Sequence, residues 1–361
     1  MARTVHEGGD TNNAKFAWNH DLGRPERACY NRCLMIDPFG RAIRYVRISV
    51  TDRCNLRCRY CMPNGYMGGE QPADVLTYEE IGTLAEAMVG LGVRKFRLTG
   101  GEPLVRRDLE VLVAKLAAFP QVEDLALSTN AVLLRDKAQA LKAAGLKRVN
   151  ISLDTLRPET FTRISVNASL AVVLDGIAAA EEAGLTPIKL NMVVMKGVND
   201  DEIEDMARMT FTRPWTIRFI EVMPMRADPA AQKGQYVSTD AIRERLAAVG
   251  TLVPVERDAL AGPAAEFRYP GAVGSVGFIT PLSHTFCGAC NRVRLTTTGK
   301  LRLCLFGESG CDLRGPLRAG ATVDDLKGLI LDALTRKPES HNLALGYSGP
   351  EAPVTMSSIG G

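Results

Sequence analysis

The sequence carries no excess of either charge: 44 Lys and Arg against 41 Asp and Glu leave a net of +3, too little for a nucleic-acid footprint built on overall charge. Any anionic partner must therefore be met locally. Long apolar runs are missing too. No stretch reaches the ~18 uninterrupted apolar residues of a membrane span, and the N-terminal MARTVHEGGDTNNAKFAWNHDLGRPERACYNRC has no apolar segment of signal-peptide type. The expectation is a soluble cytoplasmic protein with neither nucleic acid nor membrane as partner. Histidine is scarce, at four in 361 residues, and neither His6 nor His20 has zinc-motif spacing relative to the first cysteine cluster. What remains is ordinary: 46% apolar and 24% charged residues exclude wholesale disorder, collagen-like repeats and a fibrous coiled coil. The length fits two domains or one large α/β unit with an appendage.

Cysteine is the exception, with nine in the chain, in a protein expected where structural disulfides do not persist. Cys54, Cys58 and Cys61 form a C-x3-C-x2-C set directly after the run YVRISV, and Cys287, Cys290 and Cys304 form a C-x2-C-x13-C set. Each set offers three thiolates. Three cysteines leave one iron of a four-iron cluster open to a ligand, whereas structural zinc closes with four. For the second set, zinc with Cys311 or His284 as fourth ligand stays open on spacing alone. Cys29 and Cys33 belong to neither set and read as free thiols.

Between about Tyr45 and Ile220 short β-branched runs alternate with helical patterns: YVRISV, KFRLT, DLALST, RVNISL, IKLNMVVM and WTIRFI, with helices between. Ile81, Leu84, Ala85, Met88 and Leu91 fall on one helical face, as do Leu109, Leu112, Val113 and Leu116, then Leu170, Val173, Leu174 and Ile177. Six βα repeats predict a parallel sheet in an open or closed βα barrel, with chemistry at the C-terminal ends of its strands. The expected organisation is an N-terminal extension over 1–36, the barrel over 37–224, a smaller α+β domain over 225–345 and a tail over 346–361. The second domain reads as a helix at Asp240–Val249, a hairpin turning at Thr298-Gly299 and a last helix at Val323–Leu334. Arg292 and Arg294 share a face of the hairpin's first strand by period two. Guanidinium pairs suit phosphate or a stacked base, and Arg47, Arg97 and Lys189 on separate strands would add cations inside the barrel.

The triple Cys54, Cys58, Cys61 on the loop after the first strand resembles the signature of the radical S-adenosylmethionine enzymes. In them a [4Fe-4S] cluster reduces S-adenosylmethionine (SAM) to give a 5′-deoxyadenosyl radical. The resemblance implies an incomplete (β/α)6 TIM-like barrel, with SAM contacts at Tyr60, at Gly101 and Glu102 of the GGEP turn, at Ser152 and at Met223. Taken together, VRISVTDRCNLRCRYCMP, RLTGGEPLVRRDL, STN, NISLDTL, KLNMVVMKGVND, RFIEVMP, FCGACNRVRL and the closing GG resemble the GTP 3′,8-cyclase family of molybdenum cofactor biosynthesis, from about Asp37 to Gly361. Ala131 departs from the Gly that the family places after STN. This resemblance implies GTP contacts at Arg47, Arg97, Thr129, Lys189, Arg292, Val293 and Arg294, and a second [4Fe-4S] cluster on Cys287, Cys290 and Cys304. It implies catalytic roles for Arg292 and Arg294 and for Gly360 and Gly361, which close the tail over the active site. It further implies an external electron donor, the downstream cyclic pyranopterin monophosphate synthase as a partner, and a homodimer. Two other readings remain: a radical enzyme acting on a peptide, and a cysteine-rich metal-binding scaffold without turnover.

Overall fold

The computed structural model describes residues 34–62, 69–223, 234–256 and 260–341. Strands and helices alternate through the first part: β1 (Tyr45–Ser49), α1 (Tyr78–Gly90), β2 (Lys95–Thr99), α2 (Leu109–Ala117), β3 (Asp124–Thr129), α3 (Ala138–Ala143), β4 (Arg148–Ser152), α4 (Pro158–Ile164), α5 (Leu170–Glu182), β5 (Lys189–Val194), α6 (Ile203–Arg208) and β6 (Thr216–Glu221). All six expected strands form, and β1 to β6 pair in parallel in chain order. This is the expected incomplete (β/α)6 barrel.

The helices cover the sheet for the reason their periodicity gave. Thr77 opens α1 with a capping box, its side chain accepting from Glu80 N while Glu80 accepts from the Thr77 amide, which satisfies two of the four orphan donors at a helix start. Leu109, Leu112, Val113 and Leu116 of α2 are fully enclosed, each contributing roughly 1.5–3 kcal/mol by burial. Leu174 departs from the expected face. It is 41% exposed, because α5 turns Leu170, Val173, Gly176, Ile177 and Ala180 inward, and the 100° step per residue carries Leu174 past the edge of that stripe. Gly176 sits where a Cβ would meet the Ala131 carbonyl oxygen at 2.3 Å, so this helix approaches the β3–α3 turn more closely than any side chain permits.

The C-terminal region folds as α7 (Thr239–Leu246), β7 (Val253–Pro254), β8 (Ala265–Arg268), β9 (Ser275–Ile279), β10 (Arg292–Leu295), β11 (Lys300–Arg302), β12 (Gly310–Asp312), α8 (Arg314–Arg318) and α9 (Val323–Leu334). The helix expected to run to Val249 ends at Leu246, while the last helix keeps its expected bounds. Gly299 turns the β10–β11 hairpin at φ +81. These strands extend the barrel sheet at both edges: β9 pairs in parallel with β6, and β10 in parallel with β1. The resulting order is β12-β11-β10-β1-β2-β3-β4-β5-β6-β9-β8-β7. Among the described residues no helix is long and apolar enough to cross a membrane.

Ala131, the departure from the family pattern, holds a left-handed backbone at φ 64. That region costs a residue with a Cβ ~1–2 kcal/mol, partly offset by the freedom a glycine would lose on folding. Ala131→Gly is therefore expected to raise stability by up to ~1 kcal/mol, read as a higher urea midpoint. A lower midpoint would mean that the Ala131 methyl contributes more in packing than its backbone costs.

Candidate active site at the two ends of the barrel

The first cysteine set leaves the C-terminal end of β1, and the turn at Gly101-Glu102 holds it there. Gly101 N donates to Thr51 O and Glu102 N to Arg53 O, each at 2.8 Å, tying the turn after β2 to the strand-to-cysteine loop. A Cβ on Gly101 would lie 2.4 Å from Arg53 O, so the close approach requires glycine. Cys54 Sγ accepts from Leu56 N at 3.4 Å and lies 3.9 Å from Asn130 Nδ2, and Cys58 Sγ is 3.2 Å from Ser165 Oγ. Burial pushes the Cys58 and Cys61 thiols up, that of Cys61 to about 12. Neutral thiols are what such a cradle yields by itself, and a bound cation is what makes them thiolates. The donor set thus fits an iron–sulfur cluster with three protein ligands.

Around this loop the barrel rim gathers several expected residues. Tyr60 Oη donates to Asp154 Oδ2 at 2.9 Å, Ser152 is exposed at the end of β4, and Met223 lies just past β6. Glu102 is buried and already engaged: Oε1 accepts from Leu104 N and Thr129 Oγ1, Oε2 from Asn130 N. Burial raises its carboxyl to about 7 against those bonds. Thr129, expected on GTP, spends its hydroxyl on Glu102 and on the Ala131 amide. Asn130 and Asp154 were not anticipated; neither belongs to a spacing pattern.

The second set lies at the opposite end. Cys287 and Cys290 precede β10, and Cys304 follows the antiparallel β11, so all three sit at the N-terminal end of a strand parallel to β1. Lys337, just past α9, was also missed, since nothing local marks it. It is buried, with Nζ 3.8 Å from Cys290 Sγ and donating to Arg292 O at 3.1 Å. Burial would raise the Cys290 thiol, but Arg292 and Lys337 outweigh it and bring it down, which again suits a thiolate ligand. Cys311 Sγ turns toward Leu329 O at 3.9 Å, and His284 Nε2 is bound to Asp240 at 2.9 Å, so neither serves as a fourth ligand. Among the described residues no group of three His, Cys, Asp or Glu side chains is arranged to hold a single metal ion, and the zinc alternative gains nothing from the geometry.

Between the two ends the barrel interior is cationic. Register places Arg292, Tyr45 and Lys95 in one row across β10, β1 and β2, and Arg294, Arg47 and Arg97 in the next inward row. Val293 turns the other way into the hydrophobic core, leaving only its backbone to a ligand. A cavity of about 640 Å³ opens at the N-terminal strand ends, lined by Lys95, Arg97, Arg148, Lys189, Arg218 and Glu266 among others, a size that takes a nucleotide. Lys189 and Arg218 share Glu266 at 2.9 and 2.7 Å, and Lys95 and Arg148 share Asp124 at 2.9 and 2.6 Å. Burial would raise both carboxyls, yet these cations hold each at about 2. Lys95, Arg148 and Arg218 went unnoticed in the sequence, although Lys95 stands two residues from Arg97 and period two puts it on the same face. Gly360 and Gly361, like Cys29 and Cys33, lie outside the described residues.

The close approach at the first cysteine loop yields a test. Gly101→Ala is expected to lose the iron held by Cys54, Cys58 and Cys61 while keeping that of the second set, read as iron per chain after reconstitution. Full iron loading would show that the loop can give way to a methyl group.

Residues 48–210 match the radical SAM superfamily and residues 215–343 the molybdenum cofactor synthesis C family. A GTP 3′,8-cyclase of Moorella thermoacetica is 49% identical over 91% of this chain and 100% of its own length. The GTP 3′,8-cyclase of Pelotomaculum thermopropionicum is 46% identical over the same shares. Among solved structures, Streptococcus suis SuiB bound to S-adenosylmethionine aligns with a TM-score of 0.57 at 13% identity, covering 79% of this chain and 68% of that one, a likeness of fold. Near-half identity along nine tenths of the sequence, with a cysteine set inside each matched region, leaves one conclusion: the chain belongs to the GTP 3′,8-cyclase family of radical SAM enzymes.

Proposed function

We propose that this chain converts GTP to (8S)-3′,8-cyclo-7,8-dihydroguanosine 5′-triphosphate, an early step of molybdenum cofactor biosynthesis, with two [4Fe-4S] clusters and SAM as cofactors. The observation that carries the reading is the pair of cation rows between two opposed cysteine sets. A polyanion is the ligand for which Arg97 and Arg294, both buried, with Arg47 and Arg292 half-buried beside them, make sense, because cations gathered away from water favour an anion among them.

Cys54, Cys58 and Cys61 would hold one cluster, and Cys287, Cys290 and Cys304 the other. When bound, the first supplies the electron that splits SAM into methionine and the 5′-deoxyadenosyl radical that takes the ribose 3′ hydrogen. The chain's own part is orientation. Gly101 brings its backbone close to the cysteine loop, Glu102 keeps lone pairs for the amine of SAM, and Tyr60, fixed by Asp154, presents a ring at the rim beside Ser152 and Met223. At the other end Arg47, Arg97 and Lys189, with Lys95 and Arg218, would hold the triphosphate. Arg292 and Arg294 would fix the purine next to the second cysteine set; Arg292 already lies 4.8 Å over the Phe286 ring. Thr129 would act through the Glu102 bond that shapes the rim. Enclosure matters because a primary radical abstracts hydrogen indiscriminately unless its target is in contact and water is kept away. Gly360 and Gly361 would complete that enclosure. An external donor supplies electrons, and the cyclic pyranopterin monophosphate synthase would consume the product.

Anaerobically reconstituted protein with reductant, SAM and GTP is expected to yield 5′-deoxyadenosine and a cyclised isomer of GTP by mass spectrometry. Cys54→Ala should abolish both. Arg294→Ala should still cleave SAM but form cyclised product at least ~100-fold more slowly, the order expected for loss of a buried charged contact at a reacting ligand. Deoxyadenosine with unaltered GTP from the wild type would move the substrate to a peptide or another nucleotide. One alanine appended after Gly361 is expected to suppress the cyclised product at unchanged folding, and full turnover would remove the tail from the mechanism.

A further inference from the structure

Tyr45 is the side chain that this account leaves without work. It lies in β1 at the N-terminal end of the barrel, wholly enclosed, and its hydroxyl is buried with no hydrogen-bond partner among the described residues. Such a group forfeits its hydration without replacement, at ~1–3 kcal/mol, and is uncommon enough in native proteins to require a reason. Apolar packing does not supply one. The register sets Tyr45 between Arg292 on β10 and Lys95 on β2, with Arg47 two residues along its own strand. Lys95 Nζ stands 4.9 Å and Arg97 Cζ 5.5 Å from the centre of its ring.

The chemistry of these neighbours is one-sided. Lysine and arginine side chains are donors and have no acceptor to offer. The charged groups acting on Tyr45 are Arg47 from β1, Lys95 and Arg97 from β2, and Arg292 from β10. Tyr45 in turn acts on Arg294 of β10 and on Arg218 across the barrel on β6. None is a carboxylate; Asp124 and Glu266 spend their oxygens on Lys95, Arg148, Lys189 and Arg218. Arg97 Nε, beside the ring, is likewise buried without an acceptor among the described residues. An O–H and an N–H enclosed together, each lacking an acceptor, describe a place for an oxygen that the chain does not provide.

We propose that Tyr45 is a further substrate-binding residue, its hydroxyl donating a hydrogen bond to an anionic phosphate oxygen held among Arg97, Lys95 and Arg47. The inference rests on the reading that the cationic barrel takes a nucleoside triphosphate, and it adds a neutral donor to that site. A neutral donor has a particular use there. It contributes a directional bond without a further buried charge, and the ring faces the cations through its π-system, which eases their confinement while the site awaits its ligand.

A dependence on pH follows. Burial would raise the Tyr45 phenol, but Arg97, Arg47, Lys95 and Arg292 outweigh it and bring it down to about 8. Above that pH the oxygen is a phenolate in the ligand-free protein. It then cannot donate, and its charge occupies the cations that the phosphates need, so affinity for the polyanion falls as pH rises through 8. Lys189 is also lowered to about 8, by burial and then by Arg218, against the pull of Glu266. Its loss of charge acts in the same direction, so the part due to Tyr45 is the difference between wild type and a variant that lacks only the oxygen.

The test is calorimetric binding of GTP, and separately of guanosine, to the anaerobic holoenzyme and to Tyr45→Phe from pH 6.5 to 8.5. At pH 7 the variant is expected to bind GTP about 10-fold more weakly, the low end for a hydrogen bond to a charged group, and guanosine unchanged. Its GTP affinity should also fall less steeply with pH. Its melting temperature should equal or exceed that of the wild type, since removing an unpaired buried hydroxyl costs nothing in the free protein, whereas a merely structural hydroxyl would lower it. Equal GTP affinity of the two proteins, or an equal loss for guanosine, overturns the proposal while leaving the triphosphate reading in place. A wild type that binds no GTP overturns both.

Discussion

The structure depends on one short parallel pairing, Tyr45 to Ile48 of β1 against Arg292 to Leu295 of β10. Strands almost 250 residues apart in the chain meet there, and nothing in a hairpin or crossover forces them together. Once paired, their common direction fixes the rest. The first cysteine set leaves one end of β1, and the second must stand at the other end of its neighbour, a strand length away, or ~16 Å at 3.3 Å per residue. The same register turns Arg292 and Arg294 to the face that carries Tyr45 and Arg47. A slip of one residue would send both guanidiniums into the core and Val293 into the barrel. Arg41 reinforces the arrangement just upstream: bound to Asp37, it donates to the carbonyls of Cys287, Pro338 and Glu339.

The cost of the design lies in buried charge. Asp124 and Glu266 each serve two cations, leaving the barrel interior net positive before any ligand arrives. Such an interior is tolerable because guanidinium keeps its proton and is weakly hydrated, and because Tyr45 places a π face against two of the cations. An anion that fills the site removes the remaining repulsion, so binding and stability are linked: whatever binds only the folded form raises its stability. The same charges would repel a cationic ligand from this end of the barrel.

How much of this was legible in the sequence follows from the range of each interaction. The six barrel strands, the α2 face and the last helix are set by residues a few positions apart, and period alone found them. Period two also held for Arg292 and Arg294, and applied from Arg97 back to Lys95 and from Arg47 back to Tyr45 it would have completed the cation rows. Leu174 failed because a helical face has an edge that a list of apolar residues does not show. Lys337 reaches Cys290 across 47 residues, and the Thr129–Glu102 bond joins two turns that only the parallel sheet brings side by side. No local spacing encodes either contact. The pairing of β1 with β10 is of the same kind, and so the seating of the C-terminal strands on both edges of the barrel was beyond a reading by pattern.

The two ends of the barrel differ in sign, and that difference does sorting work. At the rim of the first cysteine set the buried ionisable groups are acids: burial raises Glu102 to about 7 and Asp154 to about 6. Carboxyls so raised give up their protons less readily than ordinary ones, and a cation draws them further toward ionisation, which suits a sulfonium with a free amine. At the other end, among the described residues, cations outnumber the two carboxylates, Asp124 and Glu266, that they share. On the proposed site assignment a cationic cosubstrate and a polyanionic substrate would meet opposite potentials about one strand length apart, and exchanging them would bury each against its own sign, at a cost of several kcal/mol per ion. Orientation is settled before any close contact forms. In that arrangement the ribose between triphosphate and purine would be the part of the substrate left to face the rim, where the 5′ carbon of the cosubstrate would arrive.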